Sequence, residues 1–260
     1  MDSKRRLNFD DLVLDFSAIN TYNLCGEMFR RKYVEGEEEG KDVRLVEGVA
    51  NHAWLEAHNL ERRDRGRTPT KKRLLDVFEK NMDKWKLSKA EWEDESRDSL
   101  LIRAGRFIEI YQREIDPKLG EPDWVEQPFL VEVPDSPYKL GGKVDRTSKA
   151  KLLTDYKVVG RVKSQNDVDQ SLQLSIYAYA ANVKNVAFIS FLKKASPDIV
   201  VTRSTRTEGQ LKWAMAVAKS KIDAIKAKVF PMAQPGESWI CSKNWCSFWS
   251  KCRGKVEKSK

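Results

Sequence analysis

The sequence is poor in histidine and cysteine and contains no long apolar run. It has two histidines and four cysteines among 260 residues. A helical membrane span needs about 18 consecutive apolar residues, and none is present. The opening stretch, MDSKRRLNFDDLVLDF, lacks an uninterrupted apolar core. It is therefore not expected to be a secretory signal, and a cytoplasmic location is expected. Cysteines in that compartment are not expected to form structural disulfides. A Gly-x-x-x-x-Gly-Lys phosphate loop is missing, as is any helicase motif, which argues against a nucleotide-driven motor. The histidines, His52 and His58, stand six residues apart, about 240° around a helix, so they cannot act as an i, i+4 metal pair.

Charge, in contrast, is abundant. Charged residues make up 33% of the chain and the net charge is +9, which favours a polyanionic partner by field alone. The basic residues are dispersed rather than gathered into a tail. Hydrophobic content of 40% can fill a core.

Residues 1–15 read as a mobile lead-in, with Ser17 as helix N-cap before AINTYNLCGEMFRRKYVEG. Within that segment Tyr22, Cys25 and Phe29 recur at helical spacing. Residues 36–44 read as a loop and 45–63 as a helix carrying both histidines, with His58 on the surface. A linker at 64–69 leads to amphipathic helices at 70–87 and about 96–115, separated by the capping-box pattern Ser88-Lys89-Ala90-Glu91. Their basic residues read as a solvated face. Residues 124–133 read as the first strand of a sheet. Pro128 suggests an edge or bulge there, and Glu126 reads equally as a site carboxylate or a surface residue. Strands at 185–193 and 198–203 and a long Lys-rich helix at 207–229 follow.

The informative stretch is 139–177, which reads as hairpin, loop and helix (168–182). On a strand over 151–159, Leu153, Asp155 and Lys157 share a face. A turn centred on Lys149 sets Asp145 opposite Leu153, with Asp155 its diagonal neighbour at roughly 7–8 Å. Two carboxylates so placed can lean onto one divalent cation, which removes the cost of burying them. A single Asp on a strand is more often an ordinary exposed charge. In the helix that follows, Gln173 and Tyr177 share a face at i, i+4, with Gln170 close to it.

Gly142-Lys143-Val144-Asp145-Arg146, then Asp155-Tyr156-Lys157, then Gln173-x-x-x-Tyr177 resembles the RecB-like branch of the PD-(D/E)XK nuclease superfamily. Gly48-Val49-x-x-His52 resembles the Gly-x-x-x-His segment of the same branch. The resemblance implies an α/β fold, a mixed sheet flanked by helices, with an N-terminal helical region and a Cys-rich tail. It implies metal-dependent hydrolysis of DNA at its ends, as in stand-alone phage and CRISPR-adaptation exonucleases. It further implies that His52, Asp145, Asp155 and the backbone carbonyl of Tyr156 hold Mg²⁺ or Mn²⁺. Lys157 then acts in catalysis, and Gln173 and Tyr177 position substrate. The expected organisation is one nuclease domain, 1–260, with a helical insertion at 64–122 and a tail at 231–260 closing onto Cys25. The partner the resemblance implies is DNA, with no membrane expected; a recombination or adaptation protein is a further candidate partner. The alternative is a catalytically weak DNA-end-binding module.

Cys241, Cys246 and Cys252 fall within twelve residues, and the remaining cysteine is Cys25. Composition leaves reduced core cysteines, zinc and an iron–sulfur cluster open. The resemblance implies a [4Fe–4S] cluster, because cluster-bearing RecB-like nucleases place one cysteine early and three late. They include a Cys-x5-Cys pair like Cys246 and Cys252. The gap from Cys241 to Cys246 holds four residues here, against the usual two.

Overall fold

The computed structural model describes residues 7–9, 12–39, 43–87, 92 and 95–252. The chain divides into two compact units, one of residues 1–40, 130–142 and 212–260, the other of 41–129 and 143–211. Among the described residues, one six-stranded sheet has the order β1 (Val13–Leu14), β3 (Lys139–Ser148), β4 (Leu152–Val159), β5 (Asn185–Leu192), β6 (Asp198–Thr205), with β2 (Pro122–Glu132) paired to β3. This is the mixed, helix-flanked α/β architecture expected above.

In the first unit, β1 (Val13–Leu14) pairs in parallel with the start of β3 (Lys139–Ser148). The lead-in reading is corrected here: Leu12 and Leu14 are buried, and a two-residue strand carries too little periodicity to be read. Residues 1–6, 10 and 11 lie outside the described residues. Helix α1 (Phe16–Leu24) is capped by Asp15, not Ser17; the Asp15 side chain accepts from the Ala18 amide at 2.8 Å. At Cys25 the backbone turns extended (φ −166°), ending α1, and α2 (Gly26–Phe29) restarts the helix. Only glycine fits at 26, because a Cβ there would meet the Phe230 carbonyl carbon and the Pro231 nitrogen at 2.6 Å. The Gly26 amide donates to the Pro231 carbonyl at 2.7 Å. The Tyr22 hydroxyl donates to the Val229 carbonyl at 2.7 Å.

In the second unit, α3 (Val43–Arg65) packs on α4 (Lys71–Asp83), which packs on α5 (Arg97–Ile110). The capping box sits at Ser96 and Ser99; the pattern at 88–91 lies outside the described residues. Trp54, Phe78, Leu100 and Phe107 share one core with Tyr156, Ile189 and Phe191, so these helices cover one face of the sheet. Their basic side chains are only partly a solvated face: Arg103 is largely buried on Glu47 at 2.7 Å. Strand β2 (Pro122–Glu132) leads to the β3–β4 hairpin, with β4 at Leu152–Val159. Strand β5 (Asn185–Leu192) is parallel to β4, and β6 (Asp198–Thr205) is antiparallel to β5.

Two helices, α6 (Gln165–Asp169) and α7 (Leu172–Ala181), connect β4 to β5. A single helix over 168–182 was expected. Ser171 breaks it by accepting from the Leu174 amide at 3.2 Å as the N-cap of α7. Gln170 therefore closes α6, hydrogen-bonded to Asn166, and does not lie on the α7 face. Helix α8 (Glu208–Lys226) runs from the second unit into the first and buries Leu211, Ala218, Ile222 and Ile225, as its pattern predicts.

Candidate metal centre and cysteine pocket

The hairpin sets the site. Arg146 pairs with Thr154 and Thr147 with Leu153. Continued by one residue, that register sets Asp145 against Asp155 directly, not diagonally. The turn lies one position later than expected because Lys151 takes a left-handed backbone (φ 61°) and donates its amide to the Ser148 carbonyl at 2.9 Å. Both carboxylates are buried, at 9% and 1% exposure, so neither is the ordinary surface charge a lone strand Asp usually is.

Helix α3 brings His52 to the same place. Its Nδ1 lies 3.7 Å from Asp145 Oδ1 and 3.5 Å from Glu126 Oε1. Ligand atoms of His52, Glu126 and Asp145 all fall within 4.8 Å of one another. Glu126 is thus no surface residue. It holds a left-handed backbone (φ 45°) inside β2, a strained state for a non-glycine residue, with its side chain turned inward. Glu126 Oε2 also pairs with Lys143 Nζ at 2.5 Å. Strand alternation could not reveal this, since a left-handed residue breaks the alternation.

Asp155 stands outside that three-residue group. Its Oδ1 accepts from Gln173 Nε2 at 2.8 Å, and its Oδ2 lies 2.7 Å from Lys157 Nζ without an aligned hydrogen bond. The Tyr156 amide between them donates to Asp145 Oδ2 at 2.8 Å. Tyr177 is buried and stacks edge-on against Phe129 at 5.5 Å. A residue the sequence did not flag ties α6 to α7, the helix that carries Gln173: buried Arg206 donates to the Val168 carbonyl at 2.5 Å and to Ser175 Oγ at 2.8 Å.

The electrostatics are those of crowded acids. Burial, then the charge of Asp155, lifts the Asp145 carboxyl to about 7. Burial favours a neutral His52 ring, but Asp145, Glu126 and Asp155 outweigh it and lift the imidazole to about 9. Burial likewise opposes the Lys157 ammonium, yet Asp155 and Asp145 raise it. A cation relieves this mutual repulsion of carboxylates, and the set of carboxylate oxygens with one imidazole nitrogen fits a divalent metal ion. His58 behaves differently. It was expected on the surface and is fully buried, because α3 packs on α4 with one face and on β4 with another. Its ring packs edge-on against Tyr111 at 5.1 Å, and Nε2 lies 3.9 Å from Asp116 Oδ2. Burial, reinforced by Arg62 and Arg146, lowers its pKa to about 3.

In the first unit the four cysteines, all as free thiols, line one cavity of about 110 Å³ with Met28, Ile240 and Phe248. The break at Cys25 aims that thiol toward the tail, where Sγ accepts from the Ala233 amide at 3.4 Å. Burial raises the Cys246 and Cys252 thiols above their ordinary pKa.

The PD-(D/E)XK nuclease superfamily model matches residues 14–253. The chain belongs to that superfamily, whose members use divalent metals, and DNA is the substrate class this membership implies. A crystal structure of a protein from Eubacterium rectale, provisionally described as an exonuclease, is similar in fold, with a TM-score of 0.59. It is 15% identical, and the match covers 86% of this chain and 85% of that one. A second, SSO0001, has a TM-score of 0.38 at 13% identity, covering 80% and 85%. No curated protein matches. No helix among the described residues is long and apolar enough to cross a membrane.

Proposed function

We propose that this chain is a Mg²⁺- or Mn²⁺-dependent exonuclease that hydrolyses phosphodiester bonds at DNA ends, in phage or prokaryotic recombination, repair or spacer processing. The observation that carries the reading is the convergence of His52, Glu126 and Asp145 within 4.8 Å, beside the Asp155–Lys157 pair at 2.7 Å. The fold likeness to a protein described as an exonuclease points the same way.

In this reading His52, Asp145, Asp155 and the Tyr156 carbonyl hold the cation, and Glu126 joins them. A bound divalent ion supplies Lewis acidity toward the scissile phosphate and makes water more acidic. The chain's own groups do the rest. Gln173 fixes one oxygen of Asp155, so the carboxylate keeps one orientation while the other oxygen faces Lys157. The Lys157 ammonium offsets negative charge that grows on the phosphoryl oxygens in the transition state. Gln173 and Tyr177 position the strand. Dispersed Lys and Arg supply salt-dependent backbone affinity without base readout.

Cys25, Cys241, Cys246 and Cys252 hold a [4Fe–4S] cluster in the same reading, with zinc the lesser occupant. A single tetrahedral zinc needs no void beyond its four thiolates, whereas a cavity of about 110 Å³ has room for several atoms. When bound, the cluster staples residues 231–260 to Cys25, the two ends of a single nuclease domain that carries the helices of 64–122 as an insertion.

The test uses DNA labelled at the 5′ or 3′ end, single- and double-stranded, with and without Mn²⁺. Progressive shortening from an end, abolished in Asp155→Ala, is expected. Metal-loaded protein that leaves every end intact overturns the enzyme reading.

A further inference from the structure

Three of the elements that carry the charged site are α3 through His52, β3 through Asp145, and β4 through Asp155 and Lys157. Each also sends a second side chain into one buried polar cluster. Asn59 lies two turns along α3 from His52. Arg146 follows Asp145, and Tyr156 sits between Asp155 and Lys157, so strand alternation turns both to the opposite face of the sheet. Tyr111, in the turn after α5, completes the set. Asn59, Tyr111 and Arg146 have no exposed surface and Tyr156 has 2%.

The hydrogen bonds form a closed, directed ring. Asn59 Nδ2 donates to the Leu55 carbonyl at 2.8 Å and to Tyr156 Oη at 3.1 Å. Tyr156 Oη and Tyr111 Oη lie 2.9 Å apart. Tyr111 Oη donates to Asn59 Oδ1 at 3.4 Å, closing the ring. Arg146 Nε donates to the same Asn59 oxygen at 3.0 Å, and the guanidinium also donates to the Leu119 and Gly120 carbonyls. A guanidinium can only donate, so Arg146 fixes which end of the Asn59 amide faces it. That choice forces the Tyr156 hydroxyl to accept from Asn59 and donate to Tyr111. Asn59 thereby makes all four of its hydrogen bonds. A buried network satisfied in this way has one low-energy arrangement, and a shift of any member leaves a buried polar group unpaired.

The network is also connected to the site by backbone. Tyr156, whose hydroxyl is held in the ring, gives its amide to Asp145 Oδ2 at 2.8 Å. Asn59 and His52 move together because they share one helix. We propose that Asn59, Tyr111, Arg146 and Tyr156 are positioning residues that fix the spacing of His52 relative to Asp145 and Asp155, and thereby set the affinity for the divalent cation. This rests on the cation reading above.

Mn²⁺ binding to the full chain, measured by calorimetric titration, tests it alongside thermal melts without metal. Tyr156→Phe and Tyr111→Phe keep both rings and each open the circuit by one hydroxyl. Each is expected to weaken Mn²⁺ binding about 10-fold or more, the effect typical of groups that orient metal ligands. The double variant is expected to lose little beyond either single one, since the two act in one circuit. Tyr22→Phe, which removes a buried hydroxyl bond in the other unit, is the control and is expected to keep native Mn²⁺ affinity. Variants that melt earlier yet bind Mn²⁺ as tightly as the native chain overturn the proposal and leave the cation reading standing. A native chain that binds no Mn²⁺ overturns both. If Tyr156→Phe does not fold, Tyr111→Phe decides, because it leaves β4 untouched.

Discussion

The charged site and the cysteine pocket are built in opposite ways. In the first, every group except His52, Gln173 and Tyr177 comes from a strand, the donors are oxygen and imidazole nitrogen, and the neighbours of the carboxylates are other charges. In the second, three of four thiols lie on chain with little regular structure, and Met28, Ile240 and Phe248 surround them. Carboxylate oxygens on a rigid sheet suit an ion that must meet a phosphate in fixed geometry. Soft thiols on irregular backbone suit a group that organises the chain around itself. In the proposed reading the ion adds chemistry to a sheet that is already rigid, and the cluster adds structure where the chain is irregular.

The largest expected effect separates these roles. Asp155→Ala should lower DNA hydrolysis by about 10³-fold, which is about 4 kcal/mol of barrier. Lys157→Ala should cost about 10²-fold. Both should leave the visible absorbance of the proposed [4Fe–4S] cluster unchanged, as read on one purified sample. If that absorbance falls with activity, the two regions are not separable in the way described.

Cys246→Ser should do the reverse. With the proposed cluster lost, visible absorbance should vanish and the melting temperature should drop by about 5 °C or more, with protection from hydrogen exchange lost over residues 16–29 as well as the tail. Exchange confined to residues 241–252 would mean that the pocket is only a local clasp.

Acid sensitivity should belong to the unit of the charged site. Folded His58 titrates at about 3, while an unfolded imidazole titrates near 6.5. The unfolded chain therefore binds more protons between these values. The stability this residue contributes is complete above about 6.5 and is lost as the pH falls toward 3. Asp116, whose carboxyl is raised by burial, slopes the other way over the lower part of that window. The native chain should lose about 2 kcal/mol more than His58→Phe between pH 6.5 and 4.5, read from urea midpoints. Equal losses would remove His58 as the cause.

The smallest effect concerns the thiols. Burial raises the pKa of Cys246 and Cys252, so in metal-stripped protein at pH 8 iodoacetamide should modify them more slowly than free cysteine, by about 3-fold or more. Faster modification would mean that the stripped pocket has opened.

Much of the fold was legible because it rests on short-range periodicity. The strands at 139–159 and 185–203 and the helices at 45–63 and 207–229 each show a repeat within their own span. The exceptions have local causes. Ser171 caps a new helix inside a stretch that reads as one helix, and β1 is two residues long. Of the site, Asp145, Asp155 and Lys157 could be read from one hairpin. Glu126 could be read only as one of two equal alternatives, because its left-handed backbone departs from the alternation that predicts which way a side chain points.

The amino-acid order alone determined the order of elements, the face shared by Asp155 and Lys157, and the grouping of three cysteines, since all depend on spacing along the chain. Only the tertiary structure decided that His52 reaches Asp145 while His58 is buried, that Glu126 turns inward, and that Cys25 meets the tail. Those outcomes depend on which surfaces pack together, and packing joins residues that no local repeat connects.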